Sequence, residues 1–148
     1  MDDPGQEVEI LLVEDNPTDA ELTIRALKKK NLANKLVWVQ DGAQALDFIF
    51  ATGAYAQRGQ RSYPRVIILD LHLPKVDGME VLTTIKADAS LAHIPVVVLT
   101  TSAAEVDMAK AYGNHANSYL VKPVDFPQFL KLMDALGYYW LVWNQFPY

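Results

Sequence analysis

The sequence predicts an α/β fold of the flavodoxin-like type, in which five parallel strands and five helices alternate as a doubly wound (βα)5 sandwich. Short apolar runs rich in β-branched residues recur along the chain, and longer segments of helical period separate them. Runs that are apolar on both faces are typical of strands covered by helices on either side, as in a parallel sheet. Right-handed crossovers between such strands give three layers.

Five apolar runs mark the predicted strands. They are VEILLVE (8–14), KLVWV (35–39), RVIIL (65–69), IPVVVLT (94–100) and NSYLV (117–121).

The segments between the strands begin with residues that cap helices. The segment Asn16-Pro17-Thr18-Asp19 has the pattern of a helix start, with Asn16 as the N-cap and proline at the first helical position. Asp41-Gly42 can open the second helix. Capping-box spacing predicts the starts of the other three helices at Asp77, Ser102 and Asp125.

Size and composition predict one soluble, cytoplasmic domain over residues 1–148, with a core from about 7 to 136 and an aromatic helical extension over 137–148. A net charge of −5 argues against a nucleic-acid partner. The chain has no cysteine, so disulfides are excluded. The acidic N-terminus lacks the apolar core of a signal peptide, and no apolar run is long enough for a membrane span.

One segment interrupts the alternation of strands and helices. Residues 52–64 are polar and contain glycines, Arg58 and Arg61. We expect a long loop here, and loops of this length are usually functional or disordered.

Polar residues follow four of the five strands. They are Glu14-Asp15, Asp70, Thr100-Thr101 and Lys122-Pro123. Because ligands bind outside the carboxyl ends of parallel strands, we expect these groups to meet at one edge of the sheet. Close carboxylates repel by about 4 kcal/mol per pair at an effective dielectric constant of 20. A bound Mg²⁺ would remove that cost and leave Asp70 as an oxygen nucleophile for a phosphoryl group.

Four motifs in this order resemble the receiver domain of two-component response regulators. They are LLVEDN, VIILDLHLP-x₃-G, PVVVLTTS and SYLVKP, and the resemblance extends from about Glu7 to the last helix. The 52–64 insertion, the IPVVVLTTS motif and the aromatic tail also resemble the small stand-alone regulators that partner phytochromes.

The resemblance implies a role for each matching residue. Asp70 is expected to be the phosphoacceptor, with Mg²⁺ held by Asp15, by Glu14 partly through water, by Asp70 and by the main-chain carbonyl of His72. Thr100 and Lys122 are expected to contact the phosphoryl group. The remaining expectations are a cis Lys122-Pro123 peptide and a conformational switch made by Thr100 and Tyr119.

Taken singly, these residues have plainer explanations. Glu14-Asp15 could cap the loop before the first helix, Asp70 could be a turn residue, and Tyr119 could be a core aromatic. Their joint placement at the strand ends favours the phosphoacceptor interpretation. A P-loop motif is absent, and a haloacid-dehalogenase-type phosphatase would have a second aspartate where this chain has His72. The histidine spacing does not favour zinc.

The expected function is therefore a signalling switch that a histidine kinase phosphorylates, the phytochrome class being one such kinase. We expect no enzymatic activity beyond the chain's own phosphorylation and dephosphorylation. A constitutive adaptor that keeps the fold without phosphorylation is the alternative. The tail has more aromatic residues than one end of the sheet can cover, which predicts a homodimer through the fourth helix, fifth strand, fifth helix and tail. The excess residues are Tyr138, Tyr139, Trp140, Trp143, Phe146 and Tyr148. The alternative is a tail that folds back over its own sheet.

Overall fold

The computed structural model describes residues 10–30, 35–58 and 63–144, with the side chains described as far as residue 135. Strands and helices alternate along the chain. They are β1 (Ile10–Val13), α1 (Pro17–Lys29), β2 (Leu36–Val39), α2 (Gly42–Phe50), a 3₁₀ helix (Gly53–Arg58), β3 (Val66–Leu69), α3 (Gly78–Ala87), β4 (Val96–Thr100), α4 (Glu105–Gly113), β5 (Ser118–Val121) and α5 (Phe126–Asn144). Each strand lies within its predicted run.

The five strands form one parallel sheet in the order β2-β1-β3-β4-β5. The predicted doubly wound architecture is confirmed. Every residue of β1, β3 and β4 is buried, whereas β2 and β5 at the edges are partly exposed. The apolar runs of the central strands thus reflect burial on both faces.

Two apolar clusters hold the layers together. The first core lies between the sheet and α2, α3 and α4, with Phe48 and Leu82 among its buried residues. The second core lies between the sheet and α1 and α5, with Leu27 and Phe129 among its buried residues. The side chains of the predicted extension, and all of residues 145–148, lie outside the described part of the chain.

Four of the predicted helix starts are confirmed by hydrogen bonds from the backbone to the capping side chain. Asn16 Oδ1 accepts from the N–H of Asp19 at 3.1 Å. Asp41, Asp77 and Asp125 accept in the same way from residues two or three positions later.

The predicted start at Ser102 is wrong. The fourth helix begins at Glu105, and the preceding Ala104 has no side chain that can cap it. Ser102 lies in the loop before the helix, where its hydroxyl donates to Asp107 Oδ2 at 2.5 Å. Its carbonyl accepts from the hydroxyl of Tyr119 at 2.9 Å. These contacts hold the loop in a non-helical conformation, so the helix begins three residues after Ser102.

The segment predicted as a long irregular loop contains a 3₁₀ helix over Gly53–Arg58, so that expectation is wrong for these six residues. Tyr55 packs edge-to-face on Phe48 of α2, with ring centroids 5.2 Å apart. The hydroxyl of Thr52 donates to Asp47 Oδ1 at 2.9 Å. Packing on α2 therefore orders the first half of the segment. Residues 59–62, which include Arg61, lie outside the described residues.

Within the described ranges, no helix combines the length and the apolar character needed to cross a bilayer.

Candidate functional site

Three carboxylates meet where β1 and β3 end. Glu14 and Asp15 follow β1, Asp70 follows β3, and one oxygen of each lies within 4.8 Å of the other two. Glu14 and Asp70 are buried, while Asp15 is exposed. The sequence prediction that these residues converge at one edge of the sheet agrees with this arrangement.

Backbone hydrogen bonds fix the positions of these residues. The N–H of Asp70 donates to the carbonyl of Val13 at 3.0 Å, which extends the β1-β3 pairing by one residue. The N–H of His72 donates to Asp70 Oδ1 at 3.1 Å, so the carboxylate is oriented by its own loop. The N–H of Asn16 donates to Glu14 Oε2 at 3.2 Å.

Lys122 brings a positive charge into the same site from the end of β5. Its Nζ donates to Glu14 Oε1 at 2.5 Å and to Asp70 Oδ2 and Asp19 Oδ2 at 3.0 Å each. Its backbone N–H donates to the carbonyl of Thr100 at 2.7 Å. The following peptide bond, Lys122-Pro123, is cis, as the resemblance implied.

The electrostatics of the site follow from burial and from this ion pairing. Burial, together with the negative charge of Asp70, raises the pKa of Glu14 to about 7, although Lys122 opposes the change. Burial alone would lower the pKa of Lys122. Its hydrogen bonds to Glu14, Asp19 and Asp70 outweigh that effect and hold the pKa of Lys122 above its ordinary value. Lys122 therefore stays charged, whereas burial makes the ionised form of Glu14 unfavourable.

The sequence reasoning missed Asp19, which pairs with Lys122 across 103 residues. It treated Asp19 as a residue of the helix start. The position of Asp19 in the chain could have indicated this role. Asp19 lies in the first turn of α1, and this helix begins four residues after the end of β1.

Thr100, at the end of β4, and Tyr119 of β5 are linked through Ser102. Thr100 is fully buried, and its Oγ1 accepts from the N–H of Ser102 at 3.4 Å. The ring of Tyr119 is buried, its hydroxyl donates to the Ser102 carbonyl, and burial raises its pKa. One loop thus connects the site to β5.

The donor set fits a hard divalent cation. Three carboxylates supply oxygen ligands, and exposed Asp15 leaves one side open to water, which suits Mg²⁺. The raised pKa of Glu14 shows that its negative charge is costly here, chiefly because the carboxylate is buried and secondarily because Asp70 lies beside it. A cation bound here would stabilise that charge.

Comparison with known sequences agrees with the geometry. Residues 10–134 match the sequence model of the response regulator receiver domain. The probable methanogenesis regulatory protein FilR2 of Methanothrix harundinacea is 46% identical over 138 residues, which cover 93% of this chain and 86% of the relative.

Solved structures with the same fold include three response regulators. The bacteriophytochrome response regulator AtBRR is 51% identical, with a TM-score of 0.76 over 89% of this chain and 94% of its own. The phosphorylated cyanobacterial phytochrome response regulator RcpA is 40% identical, with a TM-score of 0.76 over 92% and 95%. The Mn²⁺-bound form of Rcp1, a response regulator of Synechocystis, is 40% identical, with a TM-score of 0.75 over 92% and 95%.

Proposed function

We propose that this chain, which belongs to the response regulator receiver domain family, accepts a phosphoryl group from a histidine kinase on Asp70 and relays the signal through its α4-β5-α5 face. The observation that carries the proposal is the placement of Asp70. Its carboxylate is buried at the carboxyl end of the central strand β3. It lies within 4.8 Å of two other acids and 3.0 Å from the amine of Lys122. A site that only bound a structural metal ion would not require that lysine.

In this proposal Mg²⁺ is held by Glu14, Asp15, Asp70 and the main-chain carbonyl of His72. The Mn²⁺-bound form of the relative Rcp1 supports a divalent cation in this family. The bound cation would neutralise charge on the phosphoryl oxygens.

Asp70 is the nucleophile of the transfer step. Its carboxylate oxygen forms a bond to phosphorus as the phosphorus–nitrogen bond of the donor breaks, and the donor imidazole keeps the electron pair of that bond. In this proposal the positive charge of Lys122 stabilises the transferred group, and the hydroxyl of Thr100 donates to it. The relative RcpA has been solved in a phosphorylated form, which supports such a transfer. Apart from its own phosphorylation and dephosphorylation, the chain is not an enzyme in this proposal.

Thr100 and Tyr119 form the conformational switch that transmits the effect of phosphorylation to the α4-β5-α5 face. A phosphoryl group adds about one negative charge to the site. When Thr100 turns to bond it, the Ser102 loop moves with it, and the buried position of Tyr119 is stabilised. Only a few kcal/mol of differential interaction are needed to shift such a two-state element.

The proposed partners are a sensor histidine kinase and a second copy of the chain. RcpA and AtBRR are named after phytochromes, which supports a phytochrome as the kinase, and a cytoplasmic setting suits such an exchange. Nucleic acid and membrane are not proposed as partners.

The homodimer would form through α4, β5, α5 and the C-terminal tail. Val106, Tyr112 and Val121 support it, since their side chains are 63%, 49% and 36% exposed on α4 and β5. Tyr112 also contacts Tyr119, with ring centroids 6.4 Å apart, so the surface touches the switch. Sedimentation over a range of concentrations, with and without acetyl phosphate, tests this. A monomer under every condition would refute the dimer.

The decisive experiment for phosphorylation compares native protein, D70N and D134N on a phosphate-affinity gel after incubation with acetyl phosphate and Mg²⁺. Asp134 is exposed on α5 and serves as the matched Asp→Asn control. Native protein and D134N should shift, and D70N should not. A shift in D70N would refute the phosphoacceptor assignment, and an unshifted native protein would favour the constitutive adaptor. Transfer rates from autophosphorylated kinases, with a phytochrome among them, then identify the donor.

A further inference from the structure

We propose that Trp38 is a positioning residue for the metal-binding carboxylates. Its indole N–H holds the peptide unit between Glu14 and Asp15, and so restricts where both side chains can lie. This inference rests on the proposed function, because it concerns the Mg²⁺ site beside Asp70.

The contact that carries the inference joins β2 to the end of β1. Trp38 Nε1 donates to the main-chain carbonyl of Glu14 at 2.8 Å, across 24 residues. The N–H of Glu14 in turn donates to the carbonyl of Val39 at 3.1 Å. Both main-chain polar groups of Glu14 are therefore bonded to the end of the edge strand.

The indole supplies a donor at the point where the strand pairing ends. Trp38 stands opposite Leu12 in the β1-β2 register, and its ring packs against the second core. Past Val39 the chain turns toward α2, and the N–H of Gln40 donates to Gln44 Oε1 at 3.0 Å. The side chain of Trp38, which lies within β2, thus bonds the Glu14 carbonyl at the point where the backbone after Val39 leaves the strand pairing.

A single bond to this carbonyl acts on two carboxylates because of the peptide plane. The Glu14 carbonyl belongs to the rigid planar unit that ends at the Cα of Asp15. Fixing the orientation of this plane fixes the line between the Cα atoms of Glu14 and Asp15, and so restricts the directions in which both side chains leave the backbone. The indole N–H is the part of Trp38 that does this, since the ring alone would only fill space.

The test is the Mg²⁺ affinity of native protein, W38F and I24A, measured by titration calorimetry in metal-free buffer at fixed ionic strength. Phenylalanine keeps an aromatic ring but has no donor. Ile24 packs against the same second core, so I24A removes apolar volume there without removing a bond to Glu14. W38F should bind Mg²⁺ about 3- to 10-fold more weakly, as expected for one lost hydrogen bond. I24A should remain within about twofold of native protein, although both variants melt at lower temperature in EDTA.

Two results would overturn the role of Trp38. One is a folded W38F that binds Mg²⁺ as tightly as native protein, and the other is an I24A variant weakened as much as W38F. If the native protein itself does not bind Mg²⁺, the proposed metal site is wrong together with this inference.

Tryptophan analogues keep the proposal testable if W38F does not fold. In the W140F/W143F background, Trp38 is the one remaining tryptophan of three. Biosynthetic replacement with 5-fluorotryptophan retains the N–H, whereas benzothienylalanine has nearly the same shape and lacks it. The fluorinated protein should bind Mg²⁺ like its tryptophan parent, and the benzothienyl protein about 3- to 10-fold more weakly. Equal affinities would refute the positioning role.

Discussion

Replacing Glu14 by glutamine should stabilise the metal-free protein at pH 8. Glu14 is 3% exposed and lies beside Asp70, and these surroundings raise its pKa from 4.5 to about 7. At about 1.4 kcal/mol per pH unit, keeping Glu14 ionised in the folded state costs about 3 kcal/mol. Glutamine removes the charge and keeps the shape, and Lys122 retains its bonds to Asp70 and Asp19.

The size of the effect depends on pH, within a window set by the two pKa values of Glu14. Below pH 4.5, Glu14 is protonated in both the folded and the unfolded chain, so E14Q and native protein should be equally stable. As the pH rises from 4.5 to about 7, the unfolded chain loses this proton before the folded chain does, and native protein loses stability relative to E14Q. Above pH 7 the full difference remains.

The assay is thermal unfolding of both proteins in EDTA at several pH values. For a chain of this size, 3 kcal/mol corresponds to a melting temperature about 6–12 °C higher for E14Q at pH 8. E21Q is the matched control, because Glu21 is exposed and paired with Arg25 at 2.7 Å, and it should differ from native protein by less than about 0.5 kcal/mol. If E14Q melts at or below the temperature of native protein at pH 8, the charge on Glu14 is not costly and the reasoning fails.

Two further changes test the backbone of the site and its switch. G78A should destabilise the protein by at least about 2 kcal/mol in urea unfolding, because the new Cβ would lie 2.1 Å from the main-chain oxygen of Asp70. G113A is its control, since nothing lies within 4 Å of the added Cβ, and a G113A variant as unstable as G78A would contradict this explanation. Y119F removes the 2.9 Å bond to the Ser102 carbonyl and should cost about 1 kcal/mol in the same assay; an unchanged stability would mean that this bond does not hold the loop.

The fold could be predicted from the sequence because its local signals agree with one another. The strands β1 and β3 are apolar throughout, and capping residues such as Asn16 and Asp77 stand at the true helix starts. The prediction failed at Ser102 and over Gly53–Arg58, where contacts with side chains of another element decide the local structure. Ser102 is held by Tyr119, 17 residues later in the chain, and Tyr55 of the 3₁₀ helix packs on Phe48. Such contacts have no periodic pattern.

The residues at the site could be predicted for a topological reason. In a parallel sheet all strands end at the same edge, so a residue after β1 must lie near a residue after β3. This logic places Glu14, Asp15 and Asp70 together, and the structure agrees. It does not tell how the side chains pair, since pairing depends on the direction in which each side chain leaves the backbone.

Lys122 shows what the missing information means for the site. The sequence predicts it as a contact of the phosphoryl group, but in the structure its amine bonds Glu14 and Asp70, two of the three acids that would hold the metal. A cation bound by these acids would therefore share two carboxylates with the lysine. Asp19 lies outside the group of three acids and bonds the same amine at 3.0 Å. Asp19 would therefore remain a partner of Lys122 if Glu14 and Asp70 bound a cation. The amine would then stay beside Asp70 rather than turn into solvent.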